Sequence, residues 1–244
     1  MKIKFIIPIT TKIFEIEAKE EAMKFISKDT EIDVECIEYG TTSIESVYDV
    51  YLCAPGIIKI AETAQSEGFD GVFISCMMDP ALHAVREMLD IPVVGACRPS
   101  MMYAGDLAHK FSVVTVLKNI QFSLENIARE ICLDSKLVSV RSVNIPVLDL
   151  SNKEKLINAL IEESKKAINE DGAHAIILGC TGMTGVNEIL SKSLLLEGYK
   201  IPIIYPLSIG LKYLETLIFL KLSQSKMTYM YPPEKERNIW GKIK

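Results

Sequence analysis

The chain has 244 residues, 49% of them hydrophobic and 24% charged, a composition that excludes disorder, collagen and coiled coil. That length accommodates one large α/β domain or two ordinary ones, with a sizeable buried core in either case. Lys and Arg total 27 against 32 Asp and Glu, a net charge of −5, so no basic excess exists to draw nucleic acid or anionic lipid as a partner.

Strands and helices alternate along the chain. Lys2–Ile7 is a short apolar run that reads as a first strand. Ile13–Ser27 follows with Phe14, Ala18, Ala22, Phe25 and Ile26 at helical spacing, and Ile32–Ile37 alternates like a strand. Val47–Ser66 is helix-periodic, with Pro55 marking a break or a new first turn. Gly68–Ser75 is a compact buried strand. Pro80–Leu89 is predicted as a helix with Asp79 as N-cap and Pro80 at the first helical position. Ile91–Gly95 is the next strand. Such alternation argues for parallel sheets covered by helices, whose strands are buried on both faces. That burial also explains the positive mean hydropathy of +0.22. The apolar stretches Phe111–Leu117, Ala175–Leu178 and Leu207–Leu220 are too short to span a bilayer or carry Lys212 and Glu215, where a spanning helix needs roughly 20 apolar residues. The N-terminal apolar run is broken by Pro8 and has no small-residue cleavage site, so a cytoplasmic protein is expected. Cys36, Cys53, Cys76, Cys97, Cys132 and Cys180 are then read as thiols.

An internal repeat is the most informative feature. Gly68–Cys76 matches Gly172–Cys180, each Gly and each Cys lying 104 positions after its counterpart. Each copy follows a charged helix (Lys59–Glu67, Lys155–Glu170) and precedes a helix and a strand opening on Ile-Pro, at Ile91-Pro92 and Ile201-Pro202. Gly68 and Gly172 suit helix C′ positions. Two similar halves are implied, each ending a buried strand with a cysteine.

In parallel α/β sheets, ligands bind beyond the carboxyl ends of the strands, where Cys76 and Cys180 stand. A thiol near a helix N-terminus has its pKa lowered, and Asp79-Pro80 supplies such a start close to Cys76. The Gly-rich turn Gly179–Gly185 offers amides to an anionic oxygen. Two halves facing one another would set the thiols on opposite sides of one cleft, which is the geometry for taking a proton from one face of a carbon and returning it to the other. The competing reading of either cysteine is a small buried hydrophobe. That reading stands for Cys36, Cys53, Cys97 and Cys132, which have no counterpart in the repeat.

These residues resemble the aspartate/glutamate racemase superfamily and, within it, the hydantoin racemase branch. The likeness takes in Pro8–Thr11, Gly40–Glu45 (similar to the family's Gly-x-x-Ser-Ile-Glu), Ser75–Pro80, Pro92–Gly95, Phe111–Val116 and Leu178–Met183. It implies cofactor-independent two-base proton transfer at a carbon beside a carbonyl, with Cys76 and Cys180 as the bases and no metal. It also implies substrate contacts at Pro8, Thr10, Thr11, Ser43, Met77, Thr115, Gly179, Thr181 and Gly182, the Gly179–Gly182 amides acting as oxyanion donors. Free amino-acid racemases of this superfamily show Cys-Asn-Thr and Cys-Thr-Glu. Here Met77-Met78 and Thr181-Gly182-Met183 follow the two cysteines, as in the hydantoin branch. The first turn departs from that branch's Asn-Pro-Asn, having Ile7-Pro8-Ile9 instead. Arg98 stands where an acidic residue is expected, either as a partner for a substrate carboxylate or as a solvated surface residue.

The fold expected is α/β with two pseudo-symmetric lobes, each a mainly parallel sheet flanked by helices, and the active site in the cleft between them. The lobes are placed at 1–97 plus 208–244, and at 98–207. The function expected is a racemase or epimerase acting on a small molecule, a 5-substituted hydantoin or related cyclic amide, in a homo-oligomer. The alternatives are a free aspartate/glutamate racemase, a cis-trans isomerase or decarboxylase of the same superfamily, and a binding module with a degenerate site. His83 reads as a helix-surface residue, and the tail is expected to pack through Tyr231 and Trp240.

Overall fold

A computed structural model describes residues 1–237; Trp240 lies outside the described residues. The elements in chain order are β1 (Lys2–Ile7), α1 (Ile13–Met23), β2 (Glu31–Cys36), α2 (Val47–Ala64), β3 (Gly71–Ile74), α3 (Leu82–Met88), β4 (Val93–Gly95) and α4 (Cys97–Leu107). The same succession then repeats as β5 (Phe111–Thr115), α5 (Gln121–Glu130), β6 (Leu137–Ser142), α6 (Lys153–Asn169), β7 (Ile176–Leu178), α7 (Asn187–Leu196), β8 (Ile203–Ile204) and α8 (Pro206–Phe219). Two four-stranded sheets result, ordered β2-β1-β3-β4 and β6-β5-β7-β8. Every pairing is parallel. The two-lobed α/β architecture is therefore present, and the repeat extends from one strand to the whole half. No helix among the described residues is long and apolar enough to cross a membrane.

Strands β3, β5 and β7 are buried throughout, because helices cover both faces of each sheet. Gly68 and Gly172 end the preceding helices at φ of +78° and +75°, the left-handed C′ conformation in which a Cβ is disfavoured.

The fourth helix of each half packs across the lobe boundary. Helix α4 leaves the first sheet and packs against β7 and β8, and α8 leaves the second sheet and packs against β3 and β4. Phe73 lies where a Cβ on Gly210 would fall, and Leu214 and Ile218 crowd Gly71. Each fully buried leucine of α8, such as Leu211 and Leu214, contributes roughly 1.5–3 kcal/mol of apolar burial.

Two local expectations are corrected. Helix α2 runs unbroken through Pro55. The N–H that Pro55 lacks would have bonded the Tyr51 carbonyl, and both residues lie on the exposed face of α2, where losing that one bond does not bury an unpaired group and the helix continues. Pro80 does not open α3, which starts at Leu82. Asp79 and Ala81 take left-handed φ of 42° and 55°, and the Asp79 carboxylate caps α4, accepting the N–H of Cys97 at 2.9 Å and of Arg98 at 3.2 Å.

The tail folds onto its own first lobe. The Gln224 amide donates to the carbonyls of Leu89 (2.6 Å) and Ile91 (2.9 Å), Arg86 donates to the Tyr229 hydroxyl at 3.1 Å, and the Tyr231 hydroxyl bonds Asp90.

Candidate active site

The two cysteines occupy equivalent places at the ends of two central strands. Ser75 N–H donates to Ile6 O at 2.9 Å and Gly179 N–H donates to Val114 O at 2.8 Å, so each chain leaves its sheet beside the first strand of its own half. Gly179 is dictated by that closeness, since a Cβ there would stand 2.5 Å from Thr115 Cα. Immediately beyond lie Cys76 and Cys180. The lobes are joined at this point by a hydrogen bond of 3.1 Å from the Thr181 hydroxyl to Ser75 O. The residue after one cysteine thus holds the residue before the other.

Both cysteines line one pocket. Its lining includes Cys76, Cys180, Ser75, Gly179, Thr181 and Gly182 with Pro8, Ile9, Ile44, Met77, Met78, Val116, Val147 and Leu207, and Phe14 and Ala18 of α1. These atoms bound about 770 Å³ of space, counting the open mouth, the size of a small-molecule site. The wall is apolar, and polar groups are few. At the rim Glu17 bonds the Thr184 hydroxyl, and Lys153 Nζ lies 2.9 Å from that hydroxyl and 3.6 Å from Glu17. This cluster ties α1 of the first lobe to the second. A further tie runs from Val147 N–H to the Glu45 carboxylate at 2.7 Å.

The environment raises the thiol pKa values, which corrects the expected lowering. Burial pushes Cys180 up to about 11; the Gly182 amide opposes this, Glu45 adds to it and Lys153 opposes it. Burial pushes Cys76 further still, against the Met78 amide and aided by the nearby Cys180 and Asp79. The helix starts expected to depress these values are too distant: α3 begins at Leu82 and α7 at Asn187, and the dipole effect fades within about one turn. What reaches each sulfur is the amide two residues on, Met78 N to Cys76 Sγ and Gly182 N to Cys180 Sγ, both 3.4 Å.

Seven of the site residues expected from the sequence meet in this pocket: Cys76, Cys180, Pro8, Met77, Gly179, Thr181 and Gly182. Four, Thr10, Thr11, Ser43 and Thr115, do not line it, and the three threonine hydroxyls among them donate to backbone carbonyls. Thr10 and Thr11 hydroxyls donate to Thr41 O (3.3 Å) and Thr42 O (2.8 Å). Ser43 presents its carbonyl to the Thr41 hydroxyl at 2.6 Å, and the buried Thr115 hydroxyl donates to Gly179 O at 3.1 Å. Of the proposed oxyanion donors, the Gly179 and Gly182 amides are already engaged, which leaves Cys180 and Thr181 N–H as the amides of that run without a bond to another described residue. Arg98 is neither cleft partner nor surface residue. Its side chain is 13% exposed and pairs with Glu130 at 2.5 Å. His83 is half exposed on α3, 2.9 Å from Glu130.

One wall of the pocket, from α1, was not foreseen from the sequence. Phe14, Glu17 and Ala18 sit at i, i+3 and i+4 on one face of α1, and part of the signal was present, for Phe14 and Ala18 stand at helical spacing in the sequence. Ile44, Met78 and Val116 each adjoin a residue or motif already singled out.

A family model described as Asp/Glu/Hydantoin racemase matches residues 3–214. A hydantoin racemase of Pseudomonas sp. (strain NS671) is 39% identical over 238 residues, covering 97% of this chain and 94% of the relative. Among solved structures, the allantoin racemase of Pseudomonas fluorescens superposes with a TM-score of 0.91 at 28% identity, covering 98% of this chain and all of that one. The allantoin racemase of Klebsiella pneumoniae gives 0.89 at 28% identity, covering all of this chain and 97% of the other. The chain belongs to the Asp/Glu/hydantoin racemase family. It is an isomerase of the racemase kind.

Proposed function

We propose that this protein inverts the carbon next to a carbonyl in a 5-substituted hydantoin or related cyclic amide, without a cofactor, using Cys76 and Cys180 as the two proton-transfer groups. The observation that carries the reading is the pair of cysteines lining one apolar pocket, each at the end of an equivalent strand in opposite lobes, with their turns joined by the Thr181–Ser75 bond. One sulfur, as thiolate, takes the ring proton, and the electron pair left on carbon moves into the adjacent carbonyl. The opposite thiol then gives its proton to the other face. The carbon is inverted, thiol and thiolate have exchanged places, and no proton is lost overall. The free N–H groups of Cys180 and Thr181 are available to the developing oxyanion.

The substrate class rests on the wall. Met77, Met78, Ile9, Val116 and Val147 suit a ring and an apolar substituent better than a free ammonium and carboxylate. The related proteins with hydantoin and allantoin racemase names point the same way, allantoin being itself a 5-substituted hydantoin.

Proton–deuterium exchange in D₂O, followed by NMR on single enantiomers of 5-substituted hydantoins, aspartate and glutamate, tests this. Exchange with inversion on a hydantoin is expected, with inversion abolished in Cys76→Ser and in Cys180→Ser. Inversion surviving either substitution would overturn the two-cysteine mechanism, and turnover of aspartate or glutamate alone would overturn the substrate class.

A further inference from the structure

Asp79 takes part in none of these steps, yet its side chain is held at several points close to Cys76. Its N–H donates to Cys76 O at 3.1 Å, its φ is +42°, and it is buried. Its oxygens accept the N–H of Cys97 at 2.9 Å and of Arg98 at 3.2 Å, with Arg98 Nε 3.9 Å away. Behind it Gly95 leaves the room it needs, since a Cβ there would stand 2.2 Å from Asp79 Oδ1. A buried carboxylate on a left-handed backbone persists only where its surroundings over-determine it. The helix it caps, α4, is seated on β7 and β8, the sheet from which Cys180 projects. The carboxylate therefore ties the Cys76 turn to an element of the opposite lobe.

We propose that Asp79 is a positioning residue, which fixes the Cys76 sulfur relative to the Cys180 lobe through the first-turn amides of α4. This rests on the two-cysteine reading above. Two oxygens are needed for two amides. Asparagine offers one oxygen and turns an N–H₂ group toward the second amide.

The test uses single hydantoin enantiomers in D₂O with D79N and G95A beside C76S and C180S. G95A keeps the carboxylate and removes its room, so it decides the matter where D79N fails to fold; circular dichroism checks both. In C76S, the enantiomer whose ring proton faces Cys180 keeps exchange without inversion, which identifies it. D79N and G95A are expected to lower racemisation about 100-fold while lowering exchange from that same enantiomer by no more than about threefold, the selective cost of misplacing one of two groups. Equal losses of exchange and inversion from both enantiomers would make Asp79 a merely structural cap and overturn the proposal, as would wild-type behaviour. Inversion persisting in C76S or C180S would instead defeat the two-cysteine reading itself.

Discussion

At the scale of single residues, burial and backbone amides compete for each sulfur, and burial wins. One N–H at 3.4 Å does not offset the loss of solvent around Cys180, whose thiol is pushed up to about 11, and Cys76 is pushed higher. The resting pair is thus doubly protonated near neutrality, and the reactive form with one thiolate is a small fraction. That fraction grows about tenfold per pH unit below the lower pKa, so kcat/KM for racemisation should climb steadily between pH 7 and pH 10 and level off near pH 11. The second thiol, held higher, keeps its proton over that range, so the pair carries one thiolate and one thiol. A profile already flat by pH 8 would show that the thiolate forms much more readily in the working enzyme. Neither the pKa direction nor the fate of the Thr10, Thr11 and Thr115 hydroxyls was legible in the sequence. A hydroxyl near a motif looks the same whether it faces a substrate or a neighbouring carbonyl, and only the folded backbone supplies that carbonyl.

At the scale of elements, the site depends on strand ends and helices approaching more closely than side chains normally allow. Gly179 lies against Thr115 and Gly95 against Asp79. Gly210 of α8 lies against the Phe73 ring, 2.3 Å from where its Cβ would be, and Phe73 is itself fully buried edge-on to Phe5. Gly210→Ala sets a gain in helix propensity of about 1 kcal/mol against an overpacking cost of about 1–3 kcal/mol. Net destabilisation is expected, lowering Tm by roughly 2–8 °C in a thermal melt; an unchanged or raised Tm would mean the helix shifts freely. The elements themselves were readable from periodicity, and the C′ glycines at 68 and 172 from their place before each strand. The start of α3 was misread because Asp79 has the composition of an N-cap, and only the tertiary fold brings it a better set of amides on α4.

At the scale of the molecule, α4 and α8 cross between lobes, so neither half buries its sheet alone. The ties Thr181–Ser75, Glu45–Val147 and Glu17–Thr184 add polar links around the same cleft. Unfolding should therefore be one cooperative event, with a calorimetric-to-van't Hoff enthalpy ratio of about one. Two resolved transitions would mean the lobes are independent. By itself the sequence determined the alternation of strands and helices, the duplication and the pair of cysteines, because periodicity and repeat are properties of neighbours along a chain. Which helix covers which sheet, which amides Asp79 serves, and how far the thiols are driven from their ordinary acidity were decided only by the tertiary structure. Each depends on surfaces far apart in sequence meeting and excluding water.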